Sequence, residues 1–153
     1  MWFSGSGVET ELELIMQHIL HHNGKNGRVF IGCDSQISKD SCVFSTVICL
    51  HGADDQKGGF YFFKREKEKK KSYPTIVSRL IKEVELSIQM GFKITKKMPA
   101  TNIEIHIDAN SRKEQPTTRF ADMLMGYAKG AGFDCKIKPD AWASNSIADK
   151  HSK

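Results

Sequence analysis

The sequence predicts an α/β fold in which helices cover both faces of a five-stranded mixed sheet. Apolar residues follow a strand-like pattern in five short segments and a helical period in four longer ones. Three strands come in succession near the start of the chain, and the later strands alternate with helices. This order of elements predicts an antiparallel meander that continues into parallel β-α-β units.

The meander follows from the short gap after the first strand. That strand covers residues 29–33, and only eight residues separate it from the second strand at 42–51. A parallel crossover needs about a dozen residues or more, so the second strand must return antiparallel to the first. A third strand at 59–64 follows a loop of turn-forming residues. This opening argues against the Rossmann and flavodoxin-like folds.

The rest of the chain supplies two strands that should lie parallel to the first, at 102–108 and 134–138. Helices are predicted at 8–22, about 74–91, 117–130 and 141–151. The simplest sheet has the strand order 3-2-1-4-5, with strand 2 antiparallel. At 153 residues, the chain is expected to form a single domain, 1–153.

The composition predicts a globular cytoplasmic protein. No apolar run reaches the length of a membrane span, and the N-terminus lacks the pattern of a signal peptide. The four cysteines are scattered without a C-x-x-C pair, as expected for reduced thiols in a core. No membrane partner is therefore expected, and the sequence leaves open whether the protein is a monomer or a homodimer.

The formal net charge of +5 is unevenly distributed, because residues 64–71 read KREKEKKK. We predict a basic loop at about residues 64–73. Such a loop is either simply solvated or used as an arm that contacts phosphates. In the second case Lys69, Lys70 and Lys71 are the candidate substrate contacts.

Two of the parallel strands end in an aspartate, Asp34 after the first and Asp108 at the end of the fourth. At the centre of the predicted sheet these carboxylates become neighbours and repel each other. A divalent cation such as Mg²⁺ or Mn²⁺ relieves that repulsion, and three or four carboxylates can hold two ions about 4 Å apart. The alternative is that each aspartate only caps a turn.

Three stretches, IGCDSQ, IHIDAN and KPDAWASNSIADKHSK, resemble the ribonuclease H-like superfamily of metal-dependent nucleases. They are most similar to its YkuK-like members, over nearly the whole chain. The resemblance implies a ribonuclease H-like three-layer fold, two Mg²⁺ or Mn²⁺ ions and hydrolysis of RNA or of an RNA–DNA hybrid. Because members are classed as nucleases largely by fold, a non-catalytic nucleic-acid-binding module of the same fold is the alternative.

The resemblance also implies four catalytic metal ligands. Asp34 and Asp108 match the strand acids, and a third acid comes from the helix after the meander. On that helix Glu83 and Glu85 flank the apolar stripe about equally, so periodicity leaves both open. The pattern of the family favours Glu83.

The fourth acid is expected on the last helix, where the family often has the pattern N-x-x-A-D. Asn145 to Asp149 fits this pattern, and Asp140 is the competing residue, although an aspartate just before a helix is commonly an N-cap. Residues beside the acids are candidates for substrate contacts: Ser35, Gln36, Asn110, Lys150 and His151.

Overall fold

The computed structural model describes residues 1–110 and 117–153. Its strands are β1 (Trp2–Ser4), β2 (Glu9–Thr10), β3 (Arg28–Ile37), β4 (Ser41–His51), β5 (Gly59–Lys69), β6 (Ile103–Asn110) and β7 (Asp134–Lys138). Its helices are α1 (Leu12–Asn23), α2 (Ile76–Lys97), α3 (Thr118–Gly130) and α4 (Asp149–Ser152). A π-helical turn at Ala143–Ala148 leads directly into α4, and the two are called the terminal segment below.

The strands form one sheet in the order β2-β1-β5-β4-β3-β6-β7. Neighbours are antiparallel from β3 to β5, whereas β6 runs parallel to β3 and β7 parallel to β6. The five strands expected from the sequence therefore lie in the expected order. The expected total of five is wrong, because β1 and β2 extend the β5 edge to make seven. At three and two residues they are too short to show an apolar period.

The N-terminal helix begins at Leu12 and not at residue 8, which corrects the predicted range of 8–22. Glu9 and Thr10 instead pair antiparallel with β1. The side chain of Val8, which the helical period included, is 63% exposed. The pattern therefore extended the helix over residues that belong to the edge of the sheet.

The basic segment is mostly a strand, which corrects the predicted loop at 64–73. Strand β5 pairs with β4 residue by residue as far as Lys69, opposite Ser41. A short 3₁₀ turn, Lys70–Ser72, then leads towards α2. The long β3–β4 hairpin provides the backbone partners, and this pairing outweighs the weak strand propensity of lysine and glutamate.

The sheet lies between two unequal layers of helices, as predicted. Helices α1, α2 and α3 cover one face and enclose the main core, which includes Ile31, Leu50 and Ile105. The terminal segment covers the other face, where Ala143 and Ala148 pack with aromatic and aliphatic residues of β3 and β4. Because side chains alternate along β3, its odd-numbered residues face α2 and its even-numbered residues face the terminal segment.

All four cysteines are buried and free of disulfides. Within residues 1–110 and 117–153, no helix has the length and apolar character needed to cross a membrane.

Candidate metal centre

Asp34 and Asp108 lie on the central parallel pair of strands, as the sequence predicts. Asp34 is inside β3, which continues to Ile37, and is not beyond its end. The parallel register pairs Gly32 with His106, so continuing it by two residues places Asp34 beside Asp108. Both side chains therefore point to the face that the terminal segment covers.

Glu83 of α2 completes a compact acid cluster. One carboxylate oxygen from each of Asp34, Glu83 and Asp108 can be chosen so that all three lie within 4.8 Å of one another. The Glu83 side chain is buried, whereas that of Glu85 is only partly buried, lies 3.7 Å from the Lys82 ammonium and accepts a hydrogen bond from a glutamine on the same helix. Of the two glutamates that periodicity left open, the structure brings Glu83 into the cluster.

Burial makes ionisation of Asp34 and Glu83 unfavourable. Loss of solvent, followed by the hydrogen bond and charge of Asp108, raises the pKa of Asp34 to about 8. Burial, with the charges of Asp34 and Asp108, also raises the pKa of Glu83 well above its usual range. The three acids therefore repel one another, and the charged forms need a cation nearby.

Two serine hydroxyls partly offset this repulsion. Ser35 donates a 2.8 Å hydrogen bond from Oγ to Glu83 Oε2, and Ser152 donates one of 3.1 Å to Asp34 Oδ2. Both contacts lower the pKa of the acceptor acid. Ser35, a predicted substrate contact, thus uses its hydroxyl to orient Glu83. Ser152 was missed because no local pattern shows that a residue 118 positions away meets Asp34.

Asp149 lies next to the cluster but outside its three acids. It makes a side-chain hydrogen bond that contributes to the raised pKa of Asp34. Its Oδ2 atom is 3.1 Å from Lys153 Nζ, an i,i+4 ion pair. Asp140, the competing fourth acid, is exposed and outside the acid cluster. The terminal segment therefore brings Asp149, and not Asp140, to Asp34.

Gly32 permits the close approach of the terminal segment to β3. A Cβ atom at this position would lie 2.6 Å from Ser144 N and 2.7 Å from Ala143 C, both backbone atoms. Only glycine leaves room for that approach. The IGCD stretch thus supplies both an acid and the space that lets a second acid, Asp149, reach it.

A buried histidine holds the start of the terminal segment. The Ala143 N–H donates a 3.0 Å hydrogen bond to His106 Nδ1. His106 Nε2 lies 2.8 Å from Glu104 Oε2, so the ring is the tautomer that donates from Nε2. Burial lowers the pKa of His106, in keeping with a neutral ring. In the sequence, the position of His106 between two isoleucines indicated only a strand and not this contact with the terminal segment.

The remaining predicted contacts lie at different distances from the cluster. His151 stacks on Phe63 with ring centroids 3.7 Å apart and lies 2.8 Å from the Tyr61 hydroxyl. The Lys150 ammonium is 5.6 Å from the centre of the Tyr61 ring. The structure therefore places both side chains against Tyr61 or Phe63 of β5.

The other candidates lie nearer the surface of the sheet. Gln36 is half-buried and shares the even-numbered face of β3 with Asp34. Asn110 donates to Thr117 Oγ1 from its backbone N–H at 2.9 Å and from its side-chain Nδ2 at 3.3 Å. Lys69 is exposed at the end of β5, and Lys70 and Lys71 form the turn that follows it.

The residues present fit a hard divalent cation. The cluster offers only carboxylate oxygens, the ligands that Mg²⁺ and Mn²⁺ prefer. Among the described residues, Glu83 Oε1 is buried and has no hydrogen-bond partner, which is costly unless something else satisfies it. Lys138 Nζ lies 2.7 Å from Asp108 Oδ1 and supplies one positive charge to a cluster of three acids.

The fold and this cluster define a mixed α/β protein with a candidate divalent-cation centre on its central strands. The chain belongs to the ribonuclease H-like family, whose model matches residues 11–153. The resemblance to this superfamily seen in the sequence is therefore confirmed. No curated protein and no solved structure matches the chain.

Proposed function

We propose that the chain is a divalent-metal-dependent nuclease that hydrolyses phosphodiester bonds in RNA or in an RNA–DNA hybrid. We take residues 1–153 as one catalytic domain. The observation that carries the proposal is the cluster of Asp34, Glu83 and Asp108, with carboxylate oxygens within 4.8 Å of one another. Membership of the ribonuclease H-like family supports it. The free, buried thiols are in keeping with a cytoplasmic location.

In this proposal Asp34, Glu83 and Asp108 hold Mg²⁺ or Mn²⁺, and Asp149 serves as a fourth ligand. The number of ions expected is two, from the resemblance. When bound, such ions lower the pKa of a water molecule for attack and stabilise the charge on the leaving oxygen.

The protein's own groups prepare the site for that chemistry. Ser35 and Ser152 fix the orientation of Glu83 and Asp34 through their hydrogen bonds. Because the pKa of Asp34 is raised, its carboxyl group retains a proton until a cation replaces it. Lys138 forms a 2.7 Å ion pair with Asp108 Oδ1 and so supplies a positive charge beside the cluster.

A cleavage assay tests the proposal. Purified protein is incubated in Mn²⁺ with labelled single-stranded RNA and with a labelled RNA–DNA hybrid. We expect cleavage that EDTA stops and that Asp34→Asn abolishes. Asp140→Asn is the matched control, because Asp140 is an exposed aspartate outside the cluster and its variant should keep full activity.

The same assay separates the alternative. Binding of the labelled nucleic acid without cleavage, in either Mg²⁺ or Mn²⁺, would show a non-catalytic nucleic-acid-binding module. Cleavage that persists in Asp34→Asn would show a contaminating nuclease or a different site. Either result would contradict the proposed function.

A further inference from the structure

From Arg65 to Lys69, strand β5 carries its basic and its acidic side chains on opposite faces of the sheet. Side chains alternate along a strand, so Arg65, Lys67 and Lys69 point to one side and Glu66 and Glu68 to the other. The three basic residues are exposed, and we refer to them as the basic stripe. As a sequence the segment is a mixed run of charges. As a strand it presents three cations in line, about 7 Å apart.

The basic stripe lies on the same face of the sheet as Asp34. Directly opposite residues in an antiparallel sheet point to the same side. The register aligns Asp34 with Ser45 and Ser45 with Arg65, so these three residues form one row across β3, β4 and β5.

The next row along the strands likewise begins with a polar residue on β3 and ends with a basic residue on β5. It aligns Gln36 with Val43 and Val43 with Lys67. Lys69 follows in a third row, opposite Ser41. The two acids of β5 instead face the α2 side, where Glu66 lies opposite Phe44. The face that carries Asp34 thus extends into a basic platform of three strands.

An open groove of about 550 Å³ lies between this platform and the terminal segment. Gln36, Arg65 and Lys67 line it along the sheet, and Ser152 and Lys153 line it along the terminal segment. Ser152 also donates a hydrogen bond to Asp34, so one residue that lines the groove contacts the acid cluster. Arg65 is held in place by a 3.3 Å hydrogen bond from Nη2 to the Lys153 carbonyl.

We propose that the basic stripe and the groove bind the phosphate backbone of a nucleic-acid strand that extends from the metal centre past the β3–β4 hairpin. The inference rests on the proposed function, which places a phosphodiester at the acid cluster. A line of cations at regular spacing matches a linear polyanion, and the amide of Gln36 can donate to a phosphate or a sugar hydroxyl beside it. Lys70 and Lys71, in the turn, are outside this line.

The test is the salt dependence of nucleic-acid binding by the chain of residues 1–153. A fluorescein-labelled polyuridylate strand is titrated with protein in EDTA, where the proposed reaction does not run, at several salt concentrations. For single strands, each lost phosphate contact reduces the slope of log K against log[salt] by about 0.7. We expect Lys67→Gln to reduce the slope by about 0.7 and Lys67→Gln/Lys69→Gln by about 1.4.

Lys64→Gln is the matched control. It removes the same charge from the same strand, but Lys64 lies on the opposite face, next to Glu66, with 3.7 Å between Nζ and Oε1. Its slope should equal that of the wild type. Circular dichroism melting of all variants shows that they are folded.

Each outcome decides the inference. Equal salt slopes for Lys67→Gln and Lys64→Gln would overturn it. The inference would also be overturned if polyglutamate competed as effectively as unlabelled polyuridylate, or if the protein did not bind the strand at low salt. Because the readout is binding, a stripe-dependent slope in a protein that does not cleave RNA would support the stripe and overturn only the proposed nuclease.

Discussion

Ser35 Oγ donates a 2.8 Å hydrogen bond to Glu83 Oε2 and thereby joins the residue after Asp34 to the acid of α2. Consecutive residues of a strand point to opposite faces, so Asp34 faces the terminal segment and Ser35 faces α2. One dipeptide of β3 therefore contacts both helical layers. Its first residue supplies an acid to the cluster, and its second positions the acid that comes from the other side of the sheet.

Loss of this hydrogen bond should weaken the metal site without unfolding the protein. We predict that Ser35→Ala lowers the affinity for Mn²⁺ by about 10–100-fold, the usual effect of removing a group that orients a ligand. Isothermal titration with Mn²⁺ measures the change. Ser87→Ala is the control, because this buried serine donates to the backbone carbonyl of Glu83 and not to its carboxylate. Equal affinities for the two variants would contradict a positioning role.

The third acid should be Glu83 and not Glu85. We predict that Glu83→Gln abolishes Mn²⁺-dependent cleavage and the binding of Mn²⁺ seen by titration. Glu85→Gln should retain both, since Glu85 lies outside the acid cluster and its ion pair with Lys82 is worth only about 0.3–0.5 kcal/mol on a helix. Loss of metal binding in Glu85→Gln alone would reverse the assignment.

These two glutamates show which part of the site could not be predicted from the sequence. Asp34 and Asp108 could be placed side by side from strand order alone, because parallel strands align their carboxyl ends. Glu83 and Glu85 are two residues apart on a helix and flank its apolar stripe about equally. Periodicity cannot rank them. Which one reaches the cluster depends on how α2 rotates against the sheet, and only tertiary packing decides that.

The sequence did not predict that the basic segment is a strand, and the reason is a different one. The alternation of lysine and glutamate after Lys64 carries no apolar signal, and strand prediction relies on such a signal. The pairing of Lys67 with Val43 comes from the long β3–β4 hairpin, which supplies backbone partners whatever the side chains are. The contacts of Gly32 and His106 with the terminal segment were likewise inaccessible, because they join residues far apart in the chain.

The stability of the metal-free protein should fall as the pH rises. The pKa of Asp34 is raised to about 8 in the folded protein, from about 4 in an unfolded chain. Between these values the folded state holds a proton that the unfolded state has lost, so the free energy of unfolding decreases with pH across this interval. We predict that Asp34→Asn flattens this dependence and is more stable than the wild type above pH about 8, by a few kcal/mol.

Urea unfolding in EDTA at a series of pH values measures this effect. Asp140→Asn, at an exposed aspartate, should follow the wild-type curve. Addition of Mg²⁺ at the high end of the series should restore stability to the wild type more than to Asp34→Asn, because a ligand that binds only the folded state stabilises it. A wild-type curve that is flat over the interval would contradict the prediction.

The contact of Gly32 with the terminal segment should be sensitive to a single methyl group. In Gly32→Ala the new Cβ would lie 2.6 Å from Ser144 N and 2.7 Å from Ala143 C. Backbone atoms cannot avoid it by changing a rotamer, so the terminal segment must move away from β3. We predict a loss of about 1–3 kcal/mol in the free energy of unfolding. Mn²⁺ affinity should also fall, since the movement separates Ser152 from Asp34.

Gly126→Ala is the matched control for this substitution. Gly126 lies within α3, and a Cβ there would meet no heavy atom within 4 Å. Alanine should therefore stabilise the helix by up to about 1 kcal/mol and leave Mn²⁺ affinity unchanged. If both variants kept the wild-type stability and affinity, the close packing of the terminal segment on Gly32 would not be what holds Ser152 at Asp34. The packing of Ala143 and Ala148 on the sheet and the hydrogen bond from Ala143 to His106 would then have to hold the terminal segment in place.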